Sequence, residues 1–354
     1  MKACYINGVG CVSAQKTFDN SEFLDEITNY DTNVMPVVAP VYKESIHPVA
    51  ARRMAKGVKM GVVASKLALK EAGLEMPDAI LTGTGMGCVR DSEKFLENII
   101  KNEEQFLTPT SFIQSTHNTV GAAVALGLKC KAYNVSYVHA AVSFESALVD
   151  ASLVFHEEDA NNILVGGIEE MGDHTIKLFH LIKHLKAEPV NNMDLLKASS
   201  QGTTTSEGAQ FFVLSQEKQD SSYAQLKAVE MYNKLDEGEV AEQLEAFMRS
   251  NDLAITDIDA VLLGNNGDAE FDTIYQSLQT GLFKDTPQLA YKHLSGEYNT
   301  ASAFGFWVGS KVLKTQQVPK VLKMNELSKP AYKNVLLYNQ YRGKNHSFVL
   351  LGAC

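Results

Sequence analysis

Two stretches, ILVGG at 163–167 and FFVLS at 211–215, are apolar throughout instead of alternating with polar residues. A strand that is apolar on both faces must be covered on both faces, which restricts the chain to a layered α/β body. The remaining sequence agrees, because short apolar runs alternate with longer helical patterns. Strands are expected at 3–6, 79–82, 132–138, 162–165, 209–214, 260–263, 335–338 and 347–351. Helices are expected at 53–72, 119–126, 142–155, 240–251 and 301–314. In the first of these, Met54, Val58, Val62 and Leu69 share a face and Gly73 provides the stop. Strand-then-glycine endings recur at Gly8, Gly83, Gly166 and Gly264, which suggests two similar βα halves packed together.

A chain of 354 residues has room for two units or one large body, and no Pro-, Ser- or Gly-rich linker separates parts of it. The expected division is 1–210 and 211–354, the two halves forming one compact unit. The net charge of −10 disfavours nucleic acid as a partner, since duplex binding needs a positive footprint. No apolar run reaches the roughly 18 residues of a membrane span. The opening MKACYINGVGCVSA has the lysine, apolar stretch and small-residue end of a leader, but Asn7, Gly8 and Gly10 interrupt it. It reads better as a buried first strand turning at the glycines. Five cysteines form an odd, scattered set without a CxxC pair, so no disulfide framework or zinc ribbon is expected and a reducing cytoplasm is the natural setting.

The remaining motifs are weak. GTGMG at 83–87 follows a strand but lacks the GxGxxG spacing and the later acidic residue of a dinucleotide site, so it reads as a tight turn. His180 and His184 are four apart and would share a helix face, but no third ligand lies at a convincing spacing, and no metal or cofactor is expected. Arg52, Arg53, Lys56 and Lys59 form a basic cluster opening a helix in an otherwise acidic chain, a face suited to an acidic partner.

Seven segments in register resemble the β-ketoacyl-acyl-carrier-protein synthases of the thiolase fold. They are YINGVGCVSA at the start, RRMAKGVKMGVVASKLALKEAGL at 52–74, LTGTGMG at 81–87 and LTPTSFIQSTHNTVGAAVALGLK at 107–129. ILVGGIEE at 163–170, SEGAQFFVL at 206–214 and KHLSGEYNTASA at 292–303 complete the set. The resemblance implies a five-layered αβαβα body of two pseudo-duplicated halves, dimeric, and an acyl carrier protein that docks on the cluster at Arg52, Arg53, Lys56 and Lys59.

That family condenses acyl chains with a cysteine thiolate and two imidazoles. Counting along the resemblance puts the cysteine position at Ala141, the first histidine at Gly264 with Asn265 and Asn266 beside it, and the second at Glu297. The family's lysine falls at Lys292. Tyr341 replaces the phenylalanine of its late gate, and Tyr341, Asn265 and Asn266 are the expected pocket residues. With thiol and imidazoles replaced together, the chain is similar to a chain length factor, a degenerate subunit that pairs with an active ketosynthase as a heterodimer. Fatty-acid, polyketide or aryl-polyene biosynthesis would be its setting. Two alternatives remain open at this point. His139 and Ser143, four apart, would form a substitute base and nucleophile for acyl transfer or decarboxylation. Otherwise the pocket simply binds an acyl chain or its carrier.

Overall fold

The two fully apolar stretches pair with each other, Val165 standing opposite Phe212 in an antiparallel ladder. Around them the chain builds β1 (Tyr5–Val12), α1 (Pro48–Ala51), α2 (Lys56–Glu71), β2 (Ala79–Gly83), α3 (Val89–Lys101), α4 (Pro109–Gln114), α5 (Thr119–Leu128), β3 (Tyr133–Tyr137), α6 (Ser143–His156), β4 (Asn162–Glu169), α7 (Asp173–Leu181) and β5 (Gly208–Ser215). It continues with β6 (Ala224–Tyr232), α8 (Glu237–Ser250), β7 (Ala260–Leu263), α9 (Asp272–Thr280), β8 (Gln288–Ala290), α10 (Lys292–Ser295), α11 (Ser302–Thr315), β9 (Asn334–Tyr341) and β10 (Lys344–Gly352). The computed structural model describes residues 2–157 and 159–354.

The strand order is β3-β2-β4-β5-β1 followed by β6-β10-β9-β7-β8. Read outward from the middle, the second block is the first with each strand replaced by its counterpart five places later. Directions repeat as well. β2 runs parallel to β3 and β4 while β5 is antiparallel to β4 and β1; β7 runs parallel to β8 and β9 while β10 is antiparallel to β9 and β6. Only Tyr5 and Ile6 of β1, opposite Gln225 and Ala224 of β6, join the two blocks. The duplication is thus one of topology. The residue 210/211 division falls inside β5, and the five-stranded units meet in the 216–223 turn.

Three apolar clusters define five layers. One gathers α2 and α5 on the outer face of the first sheet. A second gathers α8 and α9 on the outer face of the second sheet. The third and largest lies between the sheets around α6 and α11. A helix apolar on every side belongs in such a central layer, and in α11 all residues from Ser302 to Leu313 are buried.

Some local expectations are corrected. β1 does not turn at its glycines. It runs through Gly8 and Gly10 to Val12, and a Cβ at either would lie 2.1 Å or less from the backbone oxygen of Ala68 or Ala64 on α2. The glycines therefore let a helix lie directly on the strand. α2 begins at Lys56, not residue 53: Ala55 before it has an extended ψ of 158°, and its free backbone N–H donates to Gln114 Oε1 at 3.1 Å. α7 ends at Leu181, so His180 and His184 do not share a helix face; His180 is exposed and His184 packs on Phe179.

Candidate functional site

β2 ends at the GTGMG turn, which folds over a buried carboxylate. Gly85 N–H and Met86 N–H each donate to Glu169 at 2.9 Å, and Thr84 Oγ1 donates at 3.0 Å. Burial pushes the Glu169 carboxyl up to about 7 in spite of these donors. Glu170, the next residue, is also raised to about 7 by burial.

Ala141 lies in the short turn that leads from β3 into α6, and it is buried. The preceding Ala140 has φ of 46°, a left-handed conformation that costs an L-residue roughly 1–2 kcal/mol. The turn thus keeps a strained geometry while presenting only methyl groups. Ser143, the first residue of α6, is fully buried. Its Oγ donates to Ala140 O (2.7 Å) and faces Thr84 O (3.1 Å), and it accepts from His139 N–H (2.8 Å). The His139 ring instead faces Ser146, Nδ1 to Oγ 3.2 Å. His139 and Ser143 are therefore neighbours in the backbone network without forming a base–nucleophile pair.

Across the centre, β7 runs into Gly264. A Cβ there would sit 2.5 Å from the Tyr275 hydroxyl and 2.7 Å from Asn339 Oδ1, so no larger residue fits this position as the neighbours stand. Asn265 is buried with its Oδ1 unpartnered, whereas Asn266 Nδ2 donates to Glu297 Oε2 at 2.7 Å. The same oxygen takes a 2.7 Å ion pair from Lys292 Nζ, and both side chains of that pair are almost wholly buried. Glu297 is further fixed through its backbone, its N–H donating to Thr204 O and its carbonyl accepting from Thr205 Oγ1. His293 is a core residue. Its Nε2 meets Val321 O at 3.0 Å, and burial pushes its pKa down to about 4.

Between Glu169 and Glu297 opens a cleft lined by both carboxylates. α7 forms one wall with Ile176 and Phe179; Met86, Met171 and Leu185 add apolar surface. α7 is anchored by Glu93 of α3, which accepts from the backbone N–H groups of His174 (3.1 Å) and Thr175 (2.7 Å). The opposite wall carries Tyr341, whose hydroxyl is 3.5 Å from His184 Nδ1, and Arg342, whose guanidinium is held by Asp268 at 3.0 Å. Burial raises Tyr341 to about 12. Of the expected pocket residues, Tyr341 and Asn266 line this cleft and Asn265 does not. Neither Ala141 nor Ser143 lines it.

The basic cluster divides. Arg52 and Arg53 are exposed, between α1 and α2. Lys56 turns inward to an ion pair with the fully buried Glu207, and Lys59 lies over the Tyr42 ring at 5.9 Å. Sequence reasoning missed Glu169, Glu170, Asp268 and Arg342. The first two stand in the GGIEE segment quoted above, where two adjacent acids ending an apolar strand were the available signal. Among the described residues no cluster of His, Cys, Asp and Glu is arranged to hold a metal ion, and no helix is long and apolar enough to cross a membrane.

The model of the β-ketoacyl synthase N-terminal domain matches residues 15–220. No curated protein sequence matches the chain. Among solved structures, the ishigamide ketosynthase/chain length factor is similar at 16% identity with a TM-score of 0.82, covering 100% of this chain and 99% of the other. A β-ketoacyl synthase from Burkholderia phymatum is similar at 17% identity and a TM-score of 0.80, covering 100% of both chains. The complex of the ketosynthase ApeO with its chain length factor ApeC from Xenorhabdus doucetiae is similar at 14% identity and a TM-score of 0.76, covering 100% of this chain and 98% of the other. At these identities the structural likeness establishes the thiolase-like fold.

Proposed function

The chain belongs to the β-ketoacyl synthase family, and from that premise we propose that it is a non-catalytic subunit which pairs with an active ketosynthase, in the manner of a chain length factor. The observation that carries this reading is the state of the three positions where condensation chemistry is expected. Ala141 offers a methyl group at a strained turn, Gly264 is hemmed in by Tyr275 and Asn339, and Glu297 is locked to Lys292 and Asn266. A condensing site needs a free thiolate and groups able to donate to an enolate. A carboxylate ion-paired at 2.7 Å does neither.

The partner would meet the open side of β3, which ends the strand order. Around that edge Leu126 of α5 is 79% exposed, and Tyr133 and Val138 are each about half exposed. An unpaired edge beside large exposed apolar residues is the kind of surface that another chain covers. The partner would supply the cysteine and both histidines, and this subunit would shape the channel in polyketide, aryl-polyene or related fatty-acyl synthesis. Arg52 and Arg53 remain available for an acidic carrier protein. The free cysteines, three of them buried, suit a reducing cytoplasm.

Co-expression with an active ketosynthase tests the reading. A one-to-one complex should form, purified chain alone should condense nothing, and Ala141→Cys should not restore condensation. A stable homodimer that ignores the ketosynthase, or condensation by the chain alone, refutes it. Acyl transfer through His139 and Ser143 is the weaker reading, since the ring faces Ser146 and the Ser143 hydroxyl is fully engaged.

A further inference from the structure

The cleft carries four carboxylates on its lining, Glu169, Glu170, Asp268 and Glu297, against one guanidinium, Arg342, and the His184 imidazole. That guanidinium is already matched by Asp268 at 3.0 Å. Behind the lining, Lys292 is matched by Glu297 at 2.7 Å. Lys186 has all three ammonium directions filled, by Ser200 O at 2.6 Å, Ser200 Oγ at 3.1 Å and Gly267 O at 2.6 Å. Arg90, at the edge, lies 3.9 Å from both Glu170 and Asp173. Each of these cations therefore already lies beside a carboxylate or carbonyl oxygen, and the lining as a whole is acidic. A carboxylate entering here would lose its water, share any counter-charge with a resident carboxylate and meet Asp268 and Glu297 at close range. The walls supply instead Ile176, Phe179, Met171 and Leu185 for a hydrocarbon, with the Tyr341 hydroxyl and the Asn266 amide beside them for an uncharged polar head.

We propose that this cleft is a charge filter that takes up uncharged, largely apolar chain molecules and excludes carboxylates, with Glu297 and Asp268 as the residues that set the selection. The selection follows from which partner each cation already holds, so it also predicts its own reversal. Glu297→Gln keeps the shape and the acceptor for Asn266 but leaves Lys292 without a counter-charge. Asp268→Asn does the same for Arg342, nearer the opening. Either change converts a satisfied cation into a carboxylate partner. The inference rests on the family reading only for the origin of the cleft, and it is tested on the full chain without any ketosynthase, so its failure leaves the partner experiment untouched.

Calorimetric titration at pH 8 with decan-1-ol and with decanoate, equal in chain length and different in head-group charge, reads the selection directly. At that pH the raised carboxyls of Glu169 and Glu170 are predominantly ionised. Wild-type protein should bind the alcohol about tenfold or more tightly than the carboxylate, a ratio well within what one unpaired buried charge produces. Asp268→Asn and Glu297→Gln should each bring that ratio near unity or below it. Should Glu297→Gln fail to fold, Asp268→Asn carries the test alone, because Arg342 is partly exposed. Equal binding of the two ligands by wild-type protein, preference for decanoate, binding of neither, or a ratio untouched by every folded variant overturns the proposal.

Discussion

The Lys292–Glu297 pair offers the sharpest test of the central architecture. Both side chains are withdrawn from water, 1% and 7% exposed, with nitrogen and oxygen 2.7 Å apart. Lys292 has one further acceptor, Gln340 O at a long 3.5 Å, and Glu297 Oε2 also accepts from Asn266. Removing one charge leaves the other buried and uncompensated, which costs about 3–5 kcal/mol, whereas replacing both by neutral groups of similar shape costs little. Lys292→Met and Glu297→Gln should therefore each destabilise the chain by about 3 kcal/mol or more. In the double variant the introduced amide still accepts from Asn266 and the methionine follows the lysine stem, so stability should return to within about 1 kcal/mol of wild type. At about 2.1 cal/mol/K per residue, the unfolding entropy of 354 residues is roughly 0.7 kcal/mol/K, so 4 kcal/mol corresponds to a fall in Tm of about 5 °C. Urea unfolding followed by circular dichroism measures all four corners of the cycle. If the single variants cost under about 1 kcal/mol, or if the double variant is as unstable as the two singles added, the pair is not a desolvated lock and the account of position 297 fails.

Four further outcomes follow from other groups. Glu169 and Glu170 hold folded pKa values of about 7, above the ordinary carboxylate range. The folded state therefore binds more protons than the unfolded one between about pH 4.5 and 7, so their contribution to stability is fully present below that window and lost as pH rises through 7; Glu170→Gln should flatten this decline in pH-dependent urea unfolding. Lys56→Ala should destabilise the fold by about 1–3 kcal/mol, because it strands Glu207 with one 3.3 Å hydrogen bond from Met171 N–H. Charge reversal at the exposed Arg52 and Arg53 should instead leave stability unchanged and weaken carrier binding, as titration against an acyl carrier protein would read. Gly264→Ala should cost about 1–3 kcal/mol in the same unfolding assay, by pressing a methyl group against Tyr275 and Asn339.

The central layer was legible because its residues had no alternative. Strands such as ILVGG and a helix such as 301–314, mostly apolar around its circumference, belong between covered sheets. Elements with one wet face were read less well. β6, AQLKAVEMY, alternates buried and partly exposed positions through Gln225 and Lys227 and is partly exposed from Val229 onward, and without an apolar run it went unrecognised. β8 has three residues, too few for a pattern. α7 was missed because it buries no residue completely; its place comes from Glu93 on a distant helix. The positions Ala141, Gly264 and Glu297 could be counted along the sequence. The partners that decide their chemistry could not. That Ser143 is taken up by Thr84 and that Lys56 points at Glu207 are consequences of three-dimensional packing between segments tens of residues apart, and that His139 faces Ser146 is set by the geometry of the turn into α6.

A reactive centre must keep some groups dissatisfied: a nucleophile without its full set of hydrogen bonds, a base near neutrality, donors aimed at charge that is not yet there. Those conditions are costly to hold in a folded chain, which is why strain and unpaired groups concentrate at active sites. Here Glu297, Lys292, Asn266 and Ser143 are satisfied by their neighbours, whereas Asn265 Oδ1 and Thr204 Oγ1 are not. Glu297 ties the 204–205 segment, the Asn266 loop and Lys292 together, and Glu169 caps the GTGMG turn. The left-handed Ala140 survives as the one strained backbone position beside Ala141. In the proposed reading, such an arrangement exchanges reactivity for rigidity.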